Sequence, residues 1–309
     1  MKGVAKMALT INTNVSSMIV QKNLQQSTTS LNRAIERMTT GYKINHAADN
    51  AAGYSIARNW EAQISSLDVA ADNAATGADM LSTLEDNYAL ISSHVQRVRD
   101  LTEQASNGTY GEQSKKAIES EIKARLEEIN RIALNCEYNG IKMMDGTSNT
   151  AKSIQVGIDS NAAKSQISLA ADLFASGKIS SLFNVTGDGA YTPTGAEDAA
   201  LAQLAKDCAG TSTGTGAKTS TYMLGTLDRV ISRISDRSTT LGAAQNRIES
   251  AIESIGVQSE NITSSLSTLR DADVATESSN YIKAQILQQA SATLLATANQ
   301  TPSIALNLL

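Results

Sequence analysis

Residues 224–269 read LGTLDRVISRISDRSTTLGAAQNRIESAIESIGVQSENITSSLSTL, and the spacing of their aliphatic side chains sets the architecture. From Leu224, apolar residues recur at alternating steps of three and four: Leu227, Ile231, Ile234, Leu241, Ile248, Ile252, Ile255, Ile262, Leu266 and Leu269. This is the heptad seam of a coiled-coil helix; a half-buried strand would alternate every second residue. Ser238, Gln245 and Ser259 interrupt the seam, and no proline does. Gly242 and Gly256 each cost about 1 kcal/mol of helix propensity, which a seam of this length absorbs. Such a helix would be about 70 Å long, whereas a compact globule made from the chain's 309 residues is about 50 Å across, so the spacing predicts an elongated molecule.

The first third repeats the pattern. Ile64, Leu67, Ala71, Ala74, Ala78, Leu81 and Leu84 form one seam, and Tyr88, Ile91, Val95, Val98, Thr102 and Ala105 continue it after a local register shift. Ser106-Asn107-Gly108 ends this helix, and Ser114 is the expected cap of the next. That helix carries Ile118, Ile122, Leu126, Ile129, Ala133 and Cys136 before Asn139-Gly140 stops it. The period then changes to two, with short strands expected at 141–144, 153–158 and 166–169. From Ser176 to Tyr222 the pattern dissolves, apart from a short helix over 196–209 and a Gly/Thr/Ser linker over 210–220.

Composition agrees with long helices. The chain has 2 Pro, where ordinary usage gives about 15. Aromatic residues make up 4%, so the core has to be built from small aliphatic side chains. With 26 Lys+Arg against 31 Asp+Glu, the net charge of -5 lacks the footprint of a nucleic-acid binder. Two cysteines do not make a disulfide framework. The longest uncharged run, 284–309, contains Gln285, Gln288, Gln289, Asn299 and Gln300 and is too polar for a bilayer span. The first residues hold no apolar core of a Sec-type signal peptide, and Met7 is a second candidate start, leaving 1–6 as an upstream extension.

The two ends form a separate zone. Leu24, Leu31 and Met38 are spaced by seven with Ile35 beside them; Ile282, Ile286, Leu287, Ala290, Leu294 and Leu295 make a broad stripe near the other end. Two helices have little core of their own, so these stripes are expected to pack on copies of the same chain as well as on each other.

Several segments resemble bacterial flagellins: Ala8-Leu9-Thr10-Ile11-Asn12-Thr13-Asn14, Thr39-Thr40-Gly41-Tyr42-Lys43-Ile44-Asn45 followed by Asp49-Asn50-Ala51-Ala52-Gly53, and Gln96-Arg97-Val98-Arg99-Asp100-Leu101. Glu137-Tyr138-Asn139-Gly140-Ile141, Leu241-Gly242-Ala243-Ala244-Gln245-Asn246-Arg247, Arg270-Asp271-Ala272-Asp273 and Ala298-Asn299-Gln300 extend the resemblance, which covers about 7–169 and 224–309. Where the family usually has Leu-Arg, this chain has Tyr42-Lys43, and His46-Ala47-Ala48 replaces a more charged run. The resemblance implies a mainly α fold: an elongated, antiparallel, long-helix coiled-coil bundle with a small β-hairpin region and a short variable insert of α+β and loop character. It implies a terminal helical domain of 7–50 and 270–309, forming the inner filament core and disordered in the monomer. Residues 51–175 and 223–269 would form the long-helix core, and 176–222 the variable, surface-exposed insert.

The same resemblance implies a structural subunit that polymerises into the extracellular flagellar filament for swimming motility, after export unfolded through the flagellar type III apparatus. Its implied partners are further copies of itself, the export apparatus, an export chaperone, and the cap and junction proteins. Polymerisation would rest on Leu24, Leu31, Ile35, Met38, Ile282, Ile286, Leu287, Leu294 and Leu295. A further implied partner is the innate receptor Toll-like receptor 5, matched at Val95, Gln96, Arg97, Asp100, Leu101 and Gln104, with Glu121 on the neighbouring helix; Asp100 stands where the family has Glu. The alternative is the hook–filament junction protein, which shares the terminal helices but fits residues 45–53 and 96–101 less well.

The residues point to no enzyme, and no catalytic, cofactor or metal site is expected. His46 and His94 are far apart without an H-E-x-x-H motif. Residues 210–219 resemble a phosphate loop, but Ala217 separates Gly216 from Lys218. Asp271 and Asp273, two apart, would not share a helix face. Cys136 falls on an apolar seam, whereas Cys208, beside the linker, is expected to be exposed and oxidisable.

Overall fold

The structure, a computed structural model, describes residues 13–147, 150–183, 197–212 and 219–306, with side chains for all of these except 197–200 and 301–306. The upstream extension 1–6, residues 8–12 of the opening motif, and 184–196 and 213–218 of the expected variable insert lie outside them.

Eight α-helices are present among the described residues: α1 (Val15–Thr40), α2 (Ala51–Ser106), α3 (Glu112–Asn135), the single turns α4 (Ala162–Ser165) and α5 (Ile179–Leu182), α6 (Glu197–Ala209), α7 (Ser220–Arg270) and α8 (Val274–Leu306). Two antiparallel hairpins interrupt them. β1 (Glu137–Tyr138) pairs with β2 (Ile141–Lys142), and β3 (Lys152–Gln155) pairs with β4 (Gln166–Leu169) in the register Ile154↔Ile167. The chain divides into two compact units, one of residues 1–64 and 260–309, the other of 65–259.

In the unit of 65–259, α2, α3 and α7 share one apolar core. Their direction follows from the polar contacts. Arg99 meets Asp228 while Glu85 meets Gln245, so α2 and α7 are antiparallel. Arg97 meets Glu121 while His94 meets Arg125, so α2 and α3 are antiparallel too. Along α7 the buried seam positions are Met223, Leu227, Val230, Ile234, Arg237, Leu241, Ala244, Ile248 and Ile255, with Ser220 and Thr226 also buried. The heptad spacing is as expected, but one of its two rows lies one residue earlier, at 223, 230, 237 and 244 in place of 224, 231, 238 and 245. The apparent gap at Ser238 is therefore filled by Arg237. Its guanidinium lies 5.9 Å over the buried Tyr88 ring and donates from Nη1 to Ser176 O at 3.3 Å. Tyr88 in turn donates its hydroxyl to Leu173 O, and burial pushes its pKa up.

On α2 the buried row includes Ala70 and Gly77, with Ala71 and Ala78 half-buried. Gly77 is there for space: a methyl group at its Cα would overlap Ile154 Cδ1 of β3. α3 begins at Glu112, with Gly111 as a cap that makes no side-chain hydrogen bond. Ser114 is thus inside the first turn, where Glu112 supplies the favourable negative charge instead.

The stretch 176–222 is partly core. Ile179, Leu182 and Phe183 are buried, and α6 turns Leu201, Leu204, Ala205, Cys208 and Ala209 inward, its small residues letting it lie close against α3. The short helix expected from the alanine pattern is present, and its apolar face is core although the flanking sequence is rich in glycine and threonine.

Leu241 is fully buried at the centre of the α7 seam. Leu241→Ala is expected to lower stability by about 2–5 kcal/mol, read as a shift in the urea midpoint with the slope unchanged.

Candidate functional site

The unit of 1–64 and 260–309 is built on the antiparallel pair α1 and α8. Asn14 caps α1 through its side-chain oxygen, which accepts from Ser17 N, and its amide donates to Ala298 O at 2.8 Å. Farther along, Gln288 donates to Thr28 at 3.2 Å, and Arg37 Nη1 meets Glu277 Oε1 at 3.2 Å. The apolar side chains fully buried on the two helices are Ala34 and Ala284, with Ser291 and Glu277 beside them. Small residues bring the backbones together and leave the large ones outside. Ile35, Met38, Ile282, Ile286, Leu287 and Leu294 are each 41–59% exposed. Leu24, Leu31 and Leu295 are half-buried. Val15, Met18 and Ile19 extend the exposed apolar surface. Their i, i+3, i+4 spacing at the start of α1 is the sequence signal for this extension, outside the sevenfold spacing that starts at Leu24.

Along one side the pair encloses a groove of about 630 Å³ lined by Arg33, Arg37, Glu277, Lys283, Leu287 and Leu294. Glu277 is nearly buried and is also met by Asn280 Nδ2 at 3.4 Å; Arg37 Nε is buried with no hydrogen-bond partner among the described residues.

The connection from α1 to α2 is pinned to the break between α7 and α8. Gly41, at φ +75°, ends α1 with its amide on Arg37 O. Lys43 N then donates to Arg270 O at 2.7 Å and Ala272 N to Gly41 O at 2.8 Å, a two-bond bridge about Tyr42 and Asp271. Arg270 stacks 4.1 Å from the Tyr42 ring centroid and pairs with Glu61. Asp49 accepts the amides of Asn45 and His46, and the His46 amide first of all holds its carboxyl below the usual range. Asp271 and Asp273 sit in this break and not on a helix. Asp273 caps α8 by accepting from Ala275 N and Thr276 Oγ1, while Asp271 accepts from Ser267 Oγ at 2.7 Å. Asp273 thus has a helix-capping role, and Asp271 is held by a side-chain hydroxyl of α7. Among the described residues no group of His, Cys, Asp and Glu is placed to hold a metal ion, and no helix is long and apolar enough to cross a membrane.

A second surface lies on α2 and α3. Arg97 donates from Nε to Glu121 Oε1 at 3.0 Å, Arg125 approaches the same oxygen at 3.8 Å, and Arg125 Nη1 is 3.4 Å from His94 Nδ1. Gln96, Arg97, Asp100 and Gln104 are exposed, and Glu121 is half-buried. Val95 and Leu101, grouped with them by the resemblance, are 1% and 2% exposed and belong to the core. They sit on the inner side of the same helical turns, so they support this surface without forming it. His94 is half-buried beside Arg125.

Cys208 also differs from expectation. It is fully buried on the inner face of α6 with its side chain bonded to Thr102, and burial pushes its pKa to about 12. Cys136 is likewise buried, its pKa pushed to about 11. The linker glycines begin at Gly210, two residues after Cys208, but the helix has already turned the thiol inward. In the native chain both thiols are expected to resist alkylation at neutral pH and to react together once the chain is unfolded, as a timed thiol-labelling series would show.

Comparison with known proteins places these surfaces in context. Residues 11–149 match the family model of the bacterial flagellin N-terminal helical region, and 224–309 that of the C-terminal helical region. The chain is 36% identical to a flagellin of Xenorhabdus nematophila, over 98% of this chain and 100% of that one. It is 32% identical to flagellin A of Vibrio anguillarum, again over 98% and 100%. A solved structure of a flagellar hook-associated protein from Vibrio parahaemolyticus shares the fold, with a TM-score of 0.56 and 14% identity over 72% of this chain and 100% of that chain.

Proposed function

The chain belongs to the bacterial flagellin family and is a structural subunit of the extracellular flagellar filament, not an enzyme; from that premise we propose that the exposed apolar face of the α1–α8 pair is its polymerisation surface. The observation that carries this is the set of large side chains, Ile35, Met38, Ile282, Ile286, Leu287 and Leu294, left uncovered by a pair that buries mainly alanine and serine. Each is already about half covered, so enclosing it by neighbouring copies contributes about 1 kcal/mol, roughly half of what full burial of such a side chain gives. A head-to-tail contact that does not close on itself repeats as an open helix. Residues 7–50 and 270–309 thus act as the inner domain, 51–175 and 223–269 as the shell around it, and 176–222 as the outer insert. Before assembly the terminal pair, with so small an internal core, opens readily and behaves as disordered.

Export belongs to the same reading. The chain passes unfolded through the flagellar type III apparatus, is held beforehand by a chaperone, and joins the filament among cap and junction proteins. Family membership supports this, as do two free thiols that impose no cross-link on the unfolded chain. The hook–filament junction role has only a likeness of fold in its favour.

The Arg97–Glu121 surface is the docking site for Toll-like receptor 5, with Gln96, Asp100 and Gln104 around it. Its support is the resemblance of 95–104 together with the exposure of an arginine held by a carboxylate, a common interface anchor.

Two outcomes follow. The double variant Ile286→Asp and Leu294→Asp should fail to form filaments in electron micrographs after salt-induced polymerisation while keeping its helical circular dichroism; normal filaments would remove the assembly reading. Arg97→Ala should weaken monomer-driven receptor signalling by about tenfold or more, and an unchanged response would remove the receptor reading.

A further inference from the structure

The chain contains two Asn-Gly dipeptides, Asn107-Gly108 and Asn139-Gly140, and both lie exposed on turns. Asn-Gly is a chemically weak point in any protein, because glycine has no side chain to keep its backbone nitrogen away from the preceding carboxamide. We propose that Asn107-Gly108, in the turn between α2 and α3, is a self-modification site that converts to aspartate and isoaspartate, whereas Asn139-Gly140 is protected by the hairpin that contains it.

The chemistry needs only water. The Gly108 nitrogen gives up its proton to solvent and attacks Asn107 Cγ. An N–Cγ bond forms, the Cγ–Nδ2 bond breaks, and the amide nitrogen takes a proton from solvent and leaves as ammonia. One water then opens the five-membered imide at either carbonyl, giving aspartate or isoaspartate. No oxidation state changes.

Ring closure requires the glycine nitrogen to lie nearly eclipsed with the asparagine Cβ about the Cα–C bond. At Asn139 this is forbidden by the turn. Asn139 has φ +48° and Gly140 φ +79°, and Tyr138 pairs with Ile141 across them, the geometry of a type I′ hairpin. In the left-handed region ψ is about +47°, which puts the next nitrogen almost opposite Cβ. Attack there requires breaking the β1–β2 hairpin, whose neighbouring residues Cys136 and Met143 are buried in the core.

Asn107 is under no such constraint. It does not have positive φ, and Gly108 and Gly111 have no atoms within 4 Å of the place a Cβ would occupy. The turn is held by Asn107 N on Gln104 O at 3.2 Å, Tyr110 N on Asn107 O at 3.4 Å, and Thr109 N on Asn107 Oδ1 at 3.2 Å, all at or beyond the long end of the hydrogen-bond range. The last of these folds the carboxamide back over the Gly108 peptide. Rotation about one bond in an open turn is all that remains. A related pair, Asp145-Gly146, reacts by this route only as the neutral acid, and the Thr147 hydroxyl and amide hold its carboxyl below the usual range.

The product matters to the fold. It adds a negative charge immediately beyond Ser106, the last residue of α2, where the helix dipole is already negative. Isoaspartate also lengthens the turn by one backbone atom. Both loosen the end of the face that carries Gln104, whose amide bonds to Tyr110 Oη at 2.9 Å.

The test is to incubate the purified full-length chain in warm, mildly alkaline buffer and follow both dipeptides by peptide mass mapping and enzymatic isoaspartate methylation. In the folded chain Asn107 should convert at least about tenfold faster than Asn139. In concentrated urea the two rates should converge to within about threefold, because only the fold distinguishes them. Gly108→Ala, placed in open space at ordinary φ, should suppress conversion at 107 with the circular dichroism unchanged. The proposal fails if Asn139 converts as fast as Asn107 in the folded chain. It fails equally if Asn107 stays intact over a period in which the urea-unfolded chain converts both, or if Gly108→Ala leaves the rate at 107 unchanged.

Discussion

Two antiparallel helices, without a third element, cannot enclose large side chains on more than a narrow strip. The α1–α8 pair meets that limit. Its contact strip is made of Ala34, Ala284 and Ser291, which let the helices approach closely, while Ile282, Ile286, Leu287 and Leu294 stay about half exposed. The arrangement is unfavourable for an isolated molecule and favourable for a subunit whose outer face is completed by copies of itself. The Arg37–Glu277 pair sits inside the same strip. A desolvated ion pair contributes little net stability, but it penalises any slip that would separate its partners, so it fixes the register of a pair whose small apolar contacts alone would slide.

The unit of 65–259 satisfies the opposite condition. Three long helices, two hairpins and the inner face of α6 close one core, in which Tyr88, Leu84, Ile122, Leu126 and Leu241 are fully buried. Its polar groups are placed with the same economy. Arg237 occupies a seam position where an aliphatic residue would be usual, and it is tolerated because the Tyr88 ring and the Ser176 carbonyl face it. Gly77 leaves the space that lets the β3–β4 hairpin lie on α2 through Ile154. The hairpins are short two-stranded sheets, so their placement depends on contacts with the helices, such as Lys142 Nζ donating to Leu134 O of α3.

Chemistry at the surface is correspondingly plain. The exposed charges are organised in pairs along helices, such as Arg97–Glu121, Arg99–Asp228 and Arg131–Glu128. Exposed pairs of this kind contribute little stability each; what they offer is a fixed pattern for a partner to recognise. Both thiols are buried and held protonated at neutral pH. Of the two Asn-Gly turns, the tight hairpin at Asn139 and the loose turn at Asn107 differ in geometry and not in composition.

The local pattern determined a great deal. Heptad spacing identified α2, α3 and α7, the change of period after Asn139 located β2, β3 and β4 but not β1, and the sevenfold spacing of Leu24, Leu31 and Met38 marked α1, because these are properties of a single helix or strand and can be read along it. The family motifs at 39–53, 96–101 and 241–247 were legible for the same reason. What required the folded chain was every choice between adjacent residues. The seam took Arg237 and not Ser238, Gly77 and not Ala78, and placed Leu101 inside while Gln104 stayed outside. A helix turns 100° per residue, so a neighbour one position away points elsewhere, and only the packing partner decides which edge of the stripe is covered. Cys208 shows the limit most directly. Its sequence surroundings are those of a linker, but its burial is imposed by α3 and by Thr102, which lie about a hundred residues away along the chain.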